Sequence, residues 1–279
     1  MKISYNETFP SRGLEEDLLL CEEIGYDLIE LRIPFLREYL KTHALNELKE
    51  FFRNHHLKPY AFNSVNDFNF VTVKEWYKMM DDFLFACRMC QELECQNIVL
   101  VSTEREDMQF VSEDRAFDSS VPALRKLCDI AEPYGARIAL EPIGHRNWCV
   151  RSLSQTLDIL REVNRDNLGL TLDAFNIFIN ASFEDLAVLD EIPPEKIFVF
   201  HINDAMNLPI DRLMPAEHRL FPGDGIIPLE QLLLKFREIG YLEMASLEVF
   251  GDWVNLAEPA AALREGYEKT RKTVNRVFH

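Results

Sequence analysis

The sequence predicts an α/β protein of the (β/α)8 barrel class, a single domain over residues 1–279. Three observations carry this expectation. Short apolar runs alternate with stretches of helical periodicity, their onsets roughly 25 to 45 residues apart, which is the alternation that builds parallel sheets. Eight such units fit the length, enough to close a barrel. In units five to eight the runs end in Glu141, Asp173, His201 and Glu248, and the strand ends of a parallel barrel converge on one face.

Taken in order, Ile3–Glu7 is a first strand, and Leu14, Leu18, Cys21 and Ile24 follow at helical spacing, closed by Gly25. Leu28–Arg32 is strand two, with helical stretches over Leu36–Tyr39 and Leu45–His55, and Lys58–Asn63 is strand three. A long helix from Val73 to about Leu93 leads to strand four, Asn97–Val101, and the polar segment Ser102–Ser112 reads as a loop. Helix four runs from about Ser119 to Tyr134, and Gly135 ends it before strand five, Ile138–Glu141. Gly169–Asp173, Ile197–His201 and Met244–Glu248 are the remaining strands, with helices expected over Ser152–Val163, Phe183–Leu189, Leu229–Ile239 and Pro259–Val277. An open doubly wound sheet would show a glycine-rich turn after its first strand, and Asn6-Glu7-Thr8-Phe9-Pro10 has none.

Composition narrows the function. A net charge of -17 argues against a nucleic-acid partner, because phosphate backbones are bound by surplus Lys and Arg. Apolar runs long enough to span a bilayer are absent, and Met1–Glu7 lacks the features of a signal peptide, so no membrane partner and a cytoplasmic location are expected. The spacing of Cys87 and Cys90 matches a zinc pair, but no second pair closes a tetrahedral site, and the six cysteines read as reduced core residues. Phe9, Phe35, Phe68, Phe70 and Trp76 fall in or near the early loops, where exposed rings would cap a site or join two copies in a homo-oligomer.

Glu141, Asp173, His201 and Glu248 form a set of hard oxygen and imidazole donors suited to one divalent metal ion, Mn, Co, Zn or Mg. A strand ending in an acid is common, and Asp173 alone would read as a helix cap. Four such endings in consecutive units argue for a shared site. Two neighbouring oxygens of a substrate would complete the coordination, so a keto-polyol is the expected small-molecule partner. A polarised ketone acidifies the adjacent C–H, and Glu141 and Glu248 are then the candidate proton-transfer residues. The residues alone leave open which of them starts as the base.

In this order these residues resemble the xylose-isomerase-like TIM barrels, a superfamily of sugar isomerases, keto-sugar 3-epimerases, hydroxypyruvate isomerase, inosose dehydratase and endonuclease IV. The resemblance covers nearly the whole chain. It is carried by Tyr5-Asn6-Glu7, Ile29-Glu30-Leu31-Arg32, Asp129–Gly135, Val163–Asn167, His201-Ile202-Asn203-Asp204 and Pro222-Gly223-Asp224-Gly225. Within the superfamily it is greatest to the isomerases of inosose, the keto-cyclitol of inositol catabolism.

It implies a metal held by the four residues above and proton transfer through an enediolate-like intermediate. It also implies substrate contacts from Arg219, which precedes the Pro-Gly-Asp-Gly turn, and from His145 of the Gly-His pair. Relatives often carry a histidine three residues after the metal-binding aspartate. Here that position is Asn176, which can hydrogen-bond a substrate oxygen but cannot exchange a proton near neutral pH. Trp148 is expected to pack against a sugar face.

A ketohexose 3-epimerase, an inosose dehydratase and a hydroxypyruvate isomerase are alternatives that use the same groups. A non-catalytic sugar-binding protein is an alternative from a different class. A repair nuclease is disfavoured by the charge and by the shortage of further His and Asp ligands.

Overall fold

In the computed structural model, which describes residues 1–9, 13–180, 183 and 186–278, eight parallel strands close into a barrel. They are β1 (Lys2–Asn6), β2 (Leu28–Arg32), β3 (Lys58–Val65), β4 (Asn97–Val101), β5 (Arg137–Glu141), β6 (Leu168–Asp173), β7 (Ile197–Ile202) and β10 (Met244–Leu247). Around the barrel the order is β1-β10-β7-β6-β5-β4-β3-β2, so the last strand pairs with the first, Ser4 opposite Ser246. Strands buried on both faces require near-continuous apolar sequence, and Leu168–Asp173 and Ile197–Ile202 are buried at every position.

The helices form the outer layer. They are α1 (Leu14–Ile24), α2 (Ile33–Tyr39), α3 (Leu45–Asn54), α4 (Val73–Leu93), α5 (Glu113–Ala131), α6 (Leu153–Val163), α7 (Ala174–Ile179), α8 (Leu229–Ile239), α9 (Asp252–Asn255) and α10 (Pro259–Val274). Thr72 caps α4 and Ser152 caps α6, each hydroxyl accepting the backbone N–H three residues on. Between β7 and β10 the chain makes an excursion in which β8 (Asp204–Ala205) pairs antiparallel with β9 (Arg219–Leu220). Among the described residues no helix is long and apolar enough to cross a membrane.

Several boundaries differ from expectation for local reasons. Helix α5 begins at Glu113, well before Ser119, because the Ser112 hydroxyl caps it and Glu113 and Asp114 suit a helix start. Part of the presumed loop before it, Glu106–Phe110, is a 3-10 turn. A helix expected over Phe183–Leu189 is replaced by α7 directly after β6 and a 3-10 segment over Leu186–Glu191; Glu184 and Asp185 lie outside the described residues. Phe9 and Phe68 are core residues, 1% and 0% exposed, so the early aromatic residues do not form one exposed cap or contact face. All six cysteines are free and buried, as the packing reading required.

Phe200 shows how strand and helix layers join. Its fully buried ring lies 4.7 Å from that of Phe236 on α8, at an interplanar angle of 89°. Phe200→Ala is expected to cost about 3–5 kcal/mol, the range for emptying a large aromatic site. A urea denaturation series measures it, and a loss below about 1 kcal/mol would mean that the layers close over the gap.

Candidate metal centre

Glu141, Asp173, His201 and Glu248 come together at the C-terminal mouth of the barrel, with one potential ligand atom from each lying within 4.8 Å of the others. Strand register produces this convergence. Asp173 on β6 is paired with His201 on β7, and His201 with Ser246 on β10, two residues before Glu248. Side chains two apart on a strand share a face, so the barrel interior receives all four. They are between 0% and 4% exposed.

Each ligand side chain has its own partner. The Asn176 amide donates to Glu141 Oε1 at 3.2 Å. Asp173 Oδ1 accepts the Asn176 backbone N–H at 2.7 Å, capping α7, while its Oδ2 accepts from Asn203 Nδ2 at 2.6 Å and Arg219 Nη1 at 2.9 Å. Asp173 is therefore both the helix cap and a member of the cluster. Glu248 Oε1 accepts from Asn6 Nδ2 at 2.6 Å, and its Oε2 from Arg219 Nη1 at 2.5 Å. Arg219 is 2% exposed, its guanidinium 5.3 Å from the ring centres of both Phe175 and Phe250.

The donor set fits a divalent cation. His201 Nδ1 is buried with no hydrogen-bond partner, 3.3 Å from Glu248 Oε2 and 3.5 Å from Glu141 Oε1. A central zinc at roughly 2.0–2.2 Å from each ligand would set the ligand atoms about 3–4.4 Å apart, so only slight contraction is needed. Burial pushes the Glu141 carboxyl up to about 7, against the pull of His201, and pushes Asp173 up against the pull of Arg219. Burial works against a charged His201, yet Glu248, Glu30 and Glu141 hold its imidazole well above its usual range.

The cluster forms one wall of a cavity of about 430 Å³, within the usual range for small-molecule sites. Glu141, Glu248 and Arg219 line it, as does Trp148. Hydrogen-bonding groups come from Arg32, Asn63, Asn66, Asp67, Ser102 and Glu104. His145 is not among the lining residues; its ring sits edge-on to Trp148 at 5.8 Å, and burial with the nearby Arg146 lowers its proton affinity. Asn176 is likewise engaged with Glu141 and Asp173 in place of the cavity. Its backbone carbonyl presses on Gly144, where a Cβ would collide with it.

Sequence reasoning missed two partners, Asn6 and Glu30. The signal was present: both are polar residues on strands of the barrel, where a buried side chain needs a partner. Asn203 braces Asp173, the Glu248 carbonyl and the Phe175 N–H. Asp204 accepts N–H groups from Ala205, Gly223 and Ile227, and so fixes the excursion that delivers Arg219.

A family model described as xylose isomerase-like TIM barrel matches residues 18–273. The chain is 38% identical over 282 residues to the inosose isomerase of Bacillus licheniformis, covering 100% of this chain and 99% of that one. It is 36% identical over 283 residues to the inosose isomerase of Bacillus velezensis, covering 100% and 99%. Among solved structures, that of the IolI protein with a zinc atom bound matches with a TM-score of 0.93 and 37% identity, covering 100% of this chain and 99% of that one.

Cation binding should release more protons in acid than in base. With Glu141 held at about 7, its carboxyl is mostly protonated at pH 6 and must lose that proton to act as a ligand; at pH 8 this contribution is gone. Titration calorimetry in buffers of different ionisation enthalpy reads the release, expected to be larger at pH 6 than at pH 8. Equal release at both would overturn it.

Proposed function

The chain belongs to the xylose isomerase-like TIM barrel family, and on that premise we propose that it is an inosose isomerase, dependent on one divalent cation, that moves a proton beside the ketone of a keto-cyclitol. Full-length likeness to inosose isomerases supports the substrate. The observation that carries the chemistry is the buried Glu141–Asp173–His201–Glu248 cluster opening onto a small polar cavity.

The four residues would hold the cation, which when bound polarises the ketone and acidifies the neighbouring C–H. The rest falls to the chain's own groups. No described residue hydrogen-bonds Glu141 Oε2, while Asn176 fixes the other oxygen. Glu141 therefore combines a set orientation with an oxygen able to accept a proton from carbon. Both oxygens of Glu248 are engaged, by Asn6 and Arg219, which fixes the second carboxylate for the return transfer. Trp148 and Phe250 offer apolar faces to the C–H side of a ring, and the polar wall offers partners for its hydroxyls. Of the residues expected to touch substrate, Trp148 and Arg219 are supported by their position in the cavity lining, from which His145 and Asn176 are absent.

The protein is expected to interconvert inosose isomers and to exchange the proton beside the ketone with solvent deuterium, and a chelator should stop both. Glu141→Gln and Glu248→Gln should each slow exchange by roughly 10²- to 10⁴-fold, the usual contribution of a positioned acid–base group. Nuclear magnetic resonance of the product in D2O is the measurement. Exchange with ketohexoses and none with inosose would move the assignment to the epimerase branch; exchange with neither would end it.

A further inference from the structure

His201 is held from across the barrel. Its Nε2 lies 3.1 and 3.2 Å from the two carboxylate oxygens of Glu30. Glu30 is on β2, three places round from β7, so this bond crosses the lumen and joins nearly opposite walls. Both side chains are 0% exposed. Asn63 on β3 donates to Glu30 Oε2 at 3.4 Å, bracing the carboxylate from the neighbouring strand.

The arrangement leaves little choice for the ring. A carboxylate between Nε2 and Asn63 is an acceptor, so Nε2 carries hydrogen and points its N–H at Glu30. The free lone pair of the neutral ring is then on Nδ1, the atom aimed at Glu141 and Glu248 and lacking any hydrogen bond. A lysine or water could not fill the same role from this position, because the first offers only donors and the second has no fixed orientation. Burying a carboxylate is costly unless it is paired, and Glu30 is closed off from solvent and is not itself among the residues lining the cavity. Its presence on a strand of the barrel is explained by His201.

We propose that Glu30 is a positioning residue that fixes the His201 ring and its tautomer, so that Nδ1 is presented as a metal ligand and made a stronger donor. The inference rests on the metal-site reading above. A carboxylate behind a ligating histidine typically contributes about 10- to 100-fold in metal affinity.

The test measures Co2+ affinity by competition with a chelator, together with the visible spectrum of the bound ion, for wild-type protein, Glu30→Ala, Glu30→Gln and Asp173→Asn. Glu30→Ala should bind Co2+ about 10- to 100-fold more weakly with an altered spectrum. Circular dichroism checks that it is folded. Should the alanine variant not fold, Glu30→Gln decides: its neutral amide oxygen is a weaker acceptor for Nε2–H than a carboxylate, so the variant should bind Co2+ measurably more weakly than the wild type. Wild-type affinity and spectrum in the folded Glu30→Ala variant, or wild-type affinity in Glu30→Gln, would overturn the role of Glu30. If Asp173→Asn still weakens binding in that case, the metal site itself stands. If the wild-type protein binds no Co2+, both fall.

Discussion

The constraint on which the site depends is the burial of like charges. Glu30, Glu141, Asp173 and Glu248 are all within the barrel mouth and at most 4% exposed. A carboxylate removed from water without compensation is strongly destabilised. Arg219 supplies one positive charge, its Nη1 shared between Asp173 and Glu248. One guanidinium and one imidazole cannot balance four carboxylates. A divalent cation at their centre would relieve the repulsion, and it would also supply the polarisation that the proposed ketone chemistry uses.

Much of the surrounding architecture follows from keeping these groups oriented. Asn6 on β1, Asn176 on α7, Asn203 after β7 and Arg219 on β9 each donate to a carboxylate of the cluster. Asn is suited to this because its amide donates without adding charge to be neutralised. The excursion between β7 and β10 exists, in physical terms, to bring one arginine back over the mouth. Asp204 gathers N–H groups from both ends of that excursion, and Gly225 can lie against the Ala205 carbonyl because it has no Cβ.

The barrel was legible because its strands are short apolar runs with buried faces on both sides, and because the ligand residues end them. Strand positions in the second half of the chain held to within a residue or two for this reason. The helix after β6 was not legible: Ala174–Ile179 is as apolar as a strand, and only the Asp173 cap turns it into a helix. Site residues divided along the same line. The four cluster residues were marked by position, whereas Asn6 and Glu30 depend on pairings 242 and 171 residues distant in sequence. Nothing local announces such a partner except the anomaly of a polar side chain in a buried strand.

The position of Asn176 bears on how proton transfer is shared. A histidine there would be a second titratable group beside Glu141. An amide instead fixes Glu141 Oε1 without competing for the proton, and the same residue's backbone N–H holds Asp173. Burial alone brings the Glu141 carboxyl up to about 7. Desolvation thus raises the basicity of this carboxylate, a bound cation would lower it again, and Asn176 fixes its geometry. With His145 outside the cavity lining, the proton movement we propose is left to the two glutamates, and the histidine that faces them is His201, whose far nitrogen meets Glu30.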